Sequence, residues 1–431
     1  MAINIFEDSF LTARGYFLYK SLMNETQYYN RDKIEEFKFN AIYKLLNNVC
    51  KHIPYYKNLF WEYDFDTSKF QSLEDLQKLP SLSKETILKS PHDFLSATHS
   101  LRGLELSTSG TSGNPFKTFS SRNQWIVEQA SIWRHWDWAN YKFRDKMAII
   151  RSYSPREGEP ITKLNKLKNW LYISPYHLSE NNVINILKIL QNWKPKYLRG
   201  YPSSLYVLAL IAKNNKIKIN SLKGAFTASE VLTEEYRSVI EDAFDIKVFD
   251  HYGQAEITAM MHECDAHDGL HLLEDYSHNE FEDSDCKEEK RLIATNLFNF
   301  AMPLIRYETG DKVVLSNKKC SCGRTFPKVK KIIGRSDALL FHKEGYFIPS
   351  INFYSFFSKL TNISKFQIIQ FSKKDVEIKI QIINKKDKDK LVVYIEEEMS
   401  KRFGTKVIVS NTEQFTMARG GKCNPIIQKI K

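Results

Sequence analysis

The sequence predicts an α/β protein in two parts. A large N-terminal domain over residues 1–336 carries parallel sheets and a barrel-like section behind a helical segment of about 95 residues, and a small α+β domain covers 337–431. Three observations carry this division. From about residue 100, short apolar runs alternate with helical patterns, the grammar of βαβ units. After residue 290 the strands follow one another without helices between them. From Val376 to Ile383 the alternation is strict, with Val376, Ile378, Ile380 and Ile382 on one face.

The elements follow in order. Ile34, Phe37, Ala41, Ile42, Leu45, Leu46 and Val49 share one face of a helix over 32–49, which ends at Pro54. Pro80 and then Ser83 mark a loop and a helix start. Met147–Ile150, Tyr197–Gly200, Lys223–Thr227 and Ile246–Asp250 read as buried strands. Val183–Trp193, Ser203–Ala212 and Glu234–Phe244 are the helices between them. Arg291–Leu297 and Lys312–Leu315 are strands of the barrel-like section. Lys388–Phe403 is a helix and Lys406–Val409 a last strand of the small domain.

Composition narrows the class. The chain has 431 residues, 42% of them hydrophobic, with 63 Lys+Arg against 51 Asp+Glu for a net charge of +12. That excludes collagen-like, disordered and disulfide-scaffold proteins. Six cysteines are too few for a disulfide framework and point to a reducing compartment. No basic n-region with an apolar core opens the chain, and no apolar run reaches a membrane span, so a cytoplasmic protein without a transmembrane segment is expected. The cations are scattered, which favours a solvated surface over a nucleic-acid footprint. Phe10, Leu11, Tyr16, Phe17 and Leu18 read as a packed first helix rather than one lying on a membrane.

Two constellations carry chemistry. Cys264-x-x-His267 and Cys320-x-Cys322 form a Cys3His set suited to tetrahedral structural zinc, with His262 and His271 as competing fourth ligands. Four protein ligands leave no open position for catalysis. The second is Ser107-Thr-Ser-Gly-Thr-Ser-Gly-Asn-Pro-Phe-Lys117, where glycines and hydroxyls let backbone N–H groups converge on an anion. It fits neither GxxxxGK[ST] nor GxGxxG, and a surface turn is its plain alternative.

This segment resembles the phosphate loop of adenylate-forming ligases, in the phenylacetate–CoA ligase and CapK-like branch. Further blocks of that family follow in order across nearly the whole chain. They are Ile53-Pro-Tyr-Tyr56, Leu73–Pro80, Gly200-Tyr-Pro-Ser203, Ala228-Ser-Glu230, Asp250-His-Tyr-Gly-Gln-Ala-Glu256, Pro303–Asp311, Gly334-Arg-Ser-Asp337 and Gly420-Gly-Lys422.

The resemblance implies an ATP- and Mg2+-dependent enzyme that joins a carboxylic acid to AMP and passes the acyl group to CoA or another acceptor. Two anions must meet in that reaction, so cations have to neutralise the transition state. By resemblance Lys422 is the catalytic lysine bridging carboxylate and α-phosphate, and Glu256 holds Mg2+. Thr108, Ser109, Gly110, Thr111, Ser112 and Gly113 cradle the phosphates. Tyr252 and Gly253 face the adenine opposite Ser229 and Glu230, Asp311 takes the ribose hydroxyls, and Arg335 assists there. Asp337 is the hinge of a mobile small domain. The aromatic stretch around Trp133 and Trp136 is core that also borders the acyl pocket. No role attaches to His251 or Cys423.

Two departures bear on the second half-reaction. Glu344 stands where the family's thioester-forming loop has glycine, with Gly345 one position later, and Ser229 replaces the second glycine of Gly-Gly-Glu. Adenylation is therefore better supported than CoA transfer, and an amine or hydroxyl acceptor is the alternative. CapK-like members are associated with surface-polysaccharide biosynthesis. A non-catalytic, zinc-stabilised basic binding protein is the rival from another class. No nucleic-acid partner is expected, and a homodimer is compatible with the reading.

Overall fold

The computed structural model describes residues 5–96, 104–107, 117–284, 286–333, 340–345, 347–348, 353, 356–357, 360, 362–382, 388–416 and 425–430. Helices come first: α1 (Ile5–Leu18), α2 (Arg31–His52), α3 (Pro54–Glu62) and α4 (Lys84–Lys89). Asn30 caps α2 by accepting from the Lys33 N–H, and Ser83 caps α4 through Thr86. Pro54 ends α2 and starts α3 at once, because a first-turn proline loses no helical hydrogen bond. Strands β1 (Leu104–Ser107) and β2 (Lys117–Ser120) then lead into α5 (Arg122–Trp138).

From residue 180 the middle of the chain alternates as the sequence predicts, whereas two strands before it, at 162–165 and 170–173, fall outside that expectation. It runs β3 (Met147–Ile150), β4 (Thr162–Asn165), β5 (Trp170–Ile173), α6 (Glu180–Trp193), β6 (Tyr197–Gly200), α7 (Pro202–Asn214), β7 (Gly224–Ala228) and α8 (Glu234–Phe244). Seven strands follow: β8 (Lys247–Gly253), β9 (Met260–Glu263), β10 (Leu270–Leu272), β11 (Ser277–Asp283), β12 (Lys290–Asn296), β13 (Tyr307–Ser316) and β14 (Lys328–Ile333). Last come β15 (Leu340–Phe341), β16 (Phe347–Ile348), β17 (Ile363–Ser372), β18 (Asp375–Ile382), α9 (Lys388–Phe403), β19 (Ile408–Asn411) and β20 (Ile426–Gln428).

The chain divides into two compact units. The first holds residues 1–106, 117–143 and 249–334. Its strands lie in the order β11-β12-β13-β14-β10-β9-β8, and the registered pairs are antiparallel. Ile42, Leu45, Leu46 and Val49 of α2 bury against Tyr56, Leu76, Leu297 and Ile305, which satisfies the apolar face read from the sequence. Helix α1 packs on α5 so closely that a Cβ at Gly15 would overlap the Cβ of Gln129. Trp133 and Trp136 are core residues, packed edge to face with each other and against Tyr141. Trp133 Nε1 donates to the Thr12 carbonyl.

The second unit holds residues 107–116, 144–248 and 335–431. There β3, β5, β6 and β7 are parallel and β4 is an antiparallel edge. Helices α6, α7 and α8 bury Leu187, Leu190, Leu205, Leu208 and Ile240 against them. A separate core forms where α9 lays Ile395, Met399 and Phe403 on the mixed sheet β19-β18-β17-β20. The even-numbered stripe Val376, Ile378 and Ile380 faces that core. Among the described residues no helix is long and apolar enough to cross a membrane.

Candidate active site

Strand β8 ends in the turn that carries Gln254 and Glu256. The Ile257 N–H closes this turn on the Gln254 carbonyl at 3.1 Å, and Ile257 itself sits at φ +55°. A β-branched residue in the left-handed region is strained, and such strain concentrates where a site must hold one geometry. Thr118 of β2 clasps the turn by donating to the Ala255 carbonyl at 3.1 Å.

On one side of the turn lies a polar triad. Tyr252 donates its hydroxyl to Asp311 Oδ2 at 2.6 Å, and Gln254 Nε2 reaches both the Tyr252 oxygen (2.7 Å) and Asp311 Oδ2 (3.1 Å). Burial, reinforced by the Asp311 charge, lifts the Tyr252 phenol well above its ordinary value, so it stays a donor. Gly310, at φ +77°, makes the bend that delivers Asp311, whose N–H donates to Thr309 Oγ1.

On the other side is Glu256. Burial raises its carboxyl above the ordinary range, while Lys84 and the Tyr307 hydroxyl pull it back. Tyr307 donates to Glu256 Oε1 at 3.3 Å. The segment that precedes Lys84 is stitched to β13. Leu82 bridges Tyr307, its N–H donates to the Arg306 carbonyl at 2.8 Å, and its carbonyl accepts from Glu308 at 2.9 Å. A half-buried carboxylate whose charge its surroundings penalise and a cation relieves is a donor suited to Mg2+.

Ser229 and Glu230 belong to the second unit, just after β7. Ser229 takes φ +75°, a conformation that suits the glycine it replaces, and its Oγ lies 3.4 Å from Arg151 Nη2. Glu230 Oε2 accepts the Ser203 N–H at 3.0 Å, at the N-terminus of α7. Thr108, Ser109, Gly110, Thr111, Ser112, Gly113, Arg335, Asp337 and Lys422 lie outside the described residues.

The thiols converge, with one correction. Ligand atoms of Cys264, His271, Cys320 and Cys322 all lie within 4.8 Å of one another. Cys264 Sγ is 3.6 Å from Cys320 Sγ, close to the roughly 3.8 Å edge of a tetrahedron with Zn–S bonds of about 2.3 Å. His271 Nδ1 sits 3.0 Å from the Phe326 carbonyl, which can only accept, so Nε2 is left unprotonated and faces Cys322 Sγ at 3.3 Å. His267, the first choice from the spacing, is not in the cluster. Its N–H closes a turn on the Cys264 carbonyl at φ +50°, which sends its ring onto Phe249 and its Nδ1 to within 3.4 Å of Glu263. The β9–β10 hairpin returns His271 instead. Burial lowers the His271 imidazole to about 4, so it stays neutral. At Cys322 burial raises the thiol, but Arg324 outweighs it and the net shift is downward, toward thiolate.

No protein-family model matches the chain. A phenylacetate–coenzyme A ligase of Thermus thermophilus is 26% identical over 323 residues, 72% of each chain. Protein CapK of Staphylococcus aureus is 22% identical over 434 residues, covering 93% of this chain and 91% of its own. The chain is similar to adenylate-forming ligases of the phenylacetate–CoA ligase and CapK-like branch. The fold agrees with that likeness. A 2-hydroxyisobutyryl-CoA ligase in the postadenylation state superposes with a TM-score of 0.60 at 17% identity, over 94% of this chain and 91% of that one. The same enzyme in its thioester-forming state gives a TM-score of 0.61 over the same shares.

Reading this ligase from its sequence missed four residues of the site. Tyr307 and Gln254 lay inside recognised blocks without a role, whereas Lys84 and Thr118 carried no motif at all.

Proposed function

We propose that this ligase activates a carboxylic acid with ATP and Mg2+, releasing pyrophosphate and forming an acyl adenylate, and then transfers the acyl group to CoA. The observation that carries the reading is a pair of carboxylates, Glu256 in the turn after β8 and Asp311 on β13. Asp311 is held by Tyr252 and Gln254, while half-buried Glu256 accepts from the Tyr307 hydroxyl and feels the charge of Lys84. The first is a hydrogen-bond acceptor poised for the ribose hydroxyls. The second is a metal-type donor. Mg2+ at Glu256 would neutralise phosphate charge when bound. Lys422 and the hydroxyl-rich loop of residues 107–117 are assigned to the carboxylate, α-phosphate and triphosphate by resemblance, Arg335 to the ribose and Asp337 to the hinge.

Acyl transfer to CoA draws support from the related 2-hydroxyisobutyryl-CoA ligase, which was solved with an acyl-AMP and CoA together. Gly345 at φ +93° occupies the turn where Glu344 displaced the expected glycine, and the Glu344 side chain is mostly exposed. The turn therefore retains a glycine. A place in surface-polysaccharide synthesis is assigned by resemblance to CapK-like members alone. We assign Cys264, His271, Cys320 and Cys322 to a structural zinc ion that ties two loops of the first unit together.

Pyrophosphate exchange with a panel of carboxylic acids, followed by CoA consumption, tests the reading. Exchange that needs both ATP and acid and collapses in Lys422→Ala is expected. A protein that exchanges with no acid, or equally well without Lys422, overturns it.

A further inference from the structure

Three histidines stand in a row across the first unit, one on each of three neighbouring antiparallel strands. His251 of β8 is directly opposite His262 of β9, and His262 is directly opposite His271 of β10. Directly opposed residues share one face of a sheet, so the row lies under the helix that covers that face. Helix α5 brings His135 onto it. The His135 and His262 ring centres are 4.3 Å apart, and those of His251 and His262 4.8 Å. His271 serves the thiolate cluster, which leaves His135, His251 and His262 as a separate trio. Nitrogen atoms of these three lie within 4.8 Å of one another.

His262 has the most to explain. It is completely buried, and neither of its ring nitrogens meets a hydrogen-bond partner. Buried imidazoles ordinarily satisfy at least one nitrogen, because an orphaned polar group costs its full desolvation. With no exposed surface at the ring, no water-sized space adjoins these nitrogens. A bare divalent ion is smaller than water and needs only the lone pairs.

We infer that His135, His251 and His262 form a second metal site, distinct from the Cys3His cluster, for one borderline divalent ion such as zinc or cobalt. Imidazole nitrogen suits those ions and not magnesium or calcium, which prefer oxygen. Three protein ligands leave a fourth position for water or an anion, in contrast to the closed Cys3His set. His251 is half-buried and lies on the accessible side of the trio. The His135 and His262 rings stack with only 16° between their planes. An ion shared by both requires His135 to turn about χ2 and present its nitrogen edge.

The test is metal stoichiometry on the full chain, stripped under reducing conditions and titrated with zinc, then with cobalt. The expected result is about two ions per chain, one of them with sulfur-to-cobalt charge-transfer absorption and one without. Cys264→Ser should abolish the thiolate band and retain one ion. His262→Gln should keep the thiolate band and lose the other ion. Because His262 is fully buried, the half-buried His251→Asn serves as the second variant and must behave alike, with the surviving thiolate band reporting that the unit is folded. One ion per chain in the unaltered protein overturns the proposal. So does a second ion that persists in both histidine variants. Loss of the thiolate band alone strikes the structural-zinc assignment and leaves this one standing.

Discussion

Tyr252 and Asp311 are joined by a 2.6 Å hydrogen bond between residues 59 positions apart, one at the end of β8 and one on β13. The bond fixes the orientation of the carboxylate assigned to the ribose and keeps the phenol protonated. Tyr252→Phe should therefore weaken nucleotide binding more than turnover. We expect KM for ATP in pyrophosphate exchange to rise roughly tenfold, as for loss of one hydrogen bond to a charged group, with kcat little changed. An unaltered KM would separate the pair from the nucleotide site.

Glu256 separates activity from stability. Burial already penalises its charge, so the isosteric Glu256→Gln should leave thermal stability equal or higher. Exchange activity should fall by about a hundredfold or more, since the metal donor is gone. A parallel loss of both would mark Glu256 as structural.

Lys84 acts on Glu256 by lowering its carboxyl, against the upward push of burial. Removing the cation in Lys84→Met raises that carboxyl further. The acid limb of the pH–rate profile should then move to higher pH, whereas Lys84→Arg should keep it in place. A profile that does not move would leave Lys84 without influence on the reacting state.

For zinc, the geometry selects His271 over His267. His271→Ala should release the ion from the Cys3His cluster and lower the melting temperature to that of the chelator-treated protein. His267→Ala should retain the ion. Metal analysis of the two variants side by side decides.

Ser229 at φ +75° pays for its Cβ, and Ser229→Gly should stabilise the protein by about 1 kcal/mol in urea unfolding.

His278 is pushed down to about 3 from the ordinary 6.5, by burial first and then by Lys38, Arg306 and Arg31. Below pH 6.5 the unfolded chain takes up a proton that the folded chain refuses until about pH 3. The stability contributed by neutral His278 is thus complete above pH 6.5 and declines as pH falls through that window. The decline is about 1.4 kcal/mol per pH unit. A His278→Gln variant should show a shallower loss of stability between those limits. Equal slopes would remove His278 as the cause.

By itself the sequence made several elements legible, from local side-chain pattern alone. Period-2 alternation at Val376–Ile382, the helical stripe of α2 and the caps at Asn30 and Ser83 are local properties, set by side chains a few residues apart. It also supplied the ligand types, since three cysteines and a histidine at short spacing belong to few chemistries. What it left open was which atoms meet. Whether His267 or His271 completes the cluster depended on a hairpin turn that points one ring away and returns the other, a matter of φ at a single residue. Lys84 acts on Glu256 from a segment that Leu82 bridges to β13, some 225 residues downstream in the chain. The trio under α5 depends on register across β8 and β9 together with the placement of a helix from another part of the chain. Contacts of that kind are set by packing, which couples distant residues through burial and leaves no periodic mark in the chain.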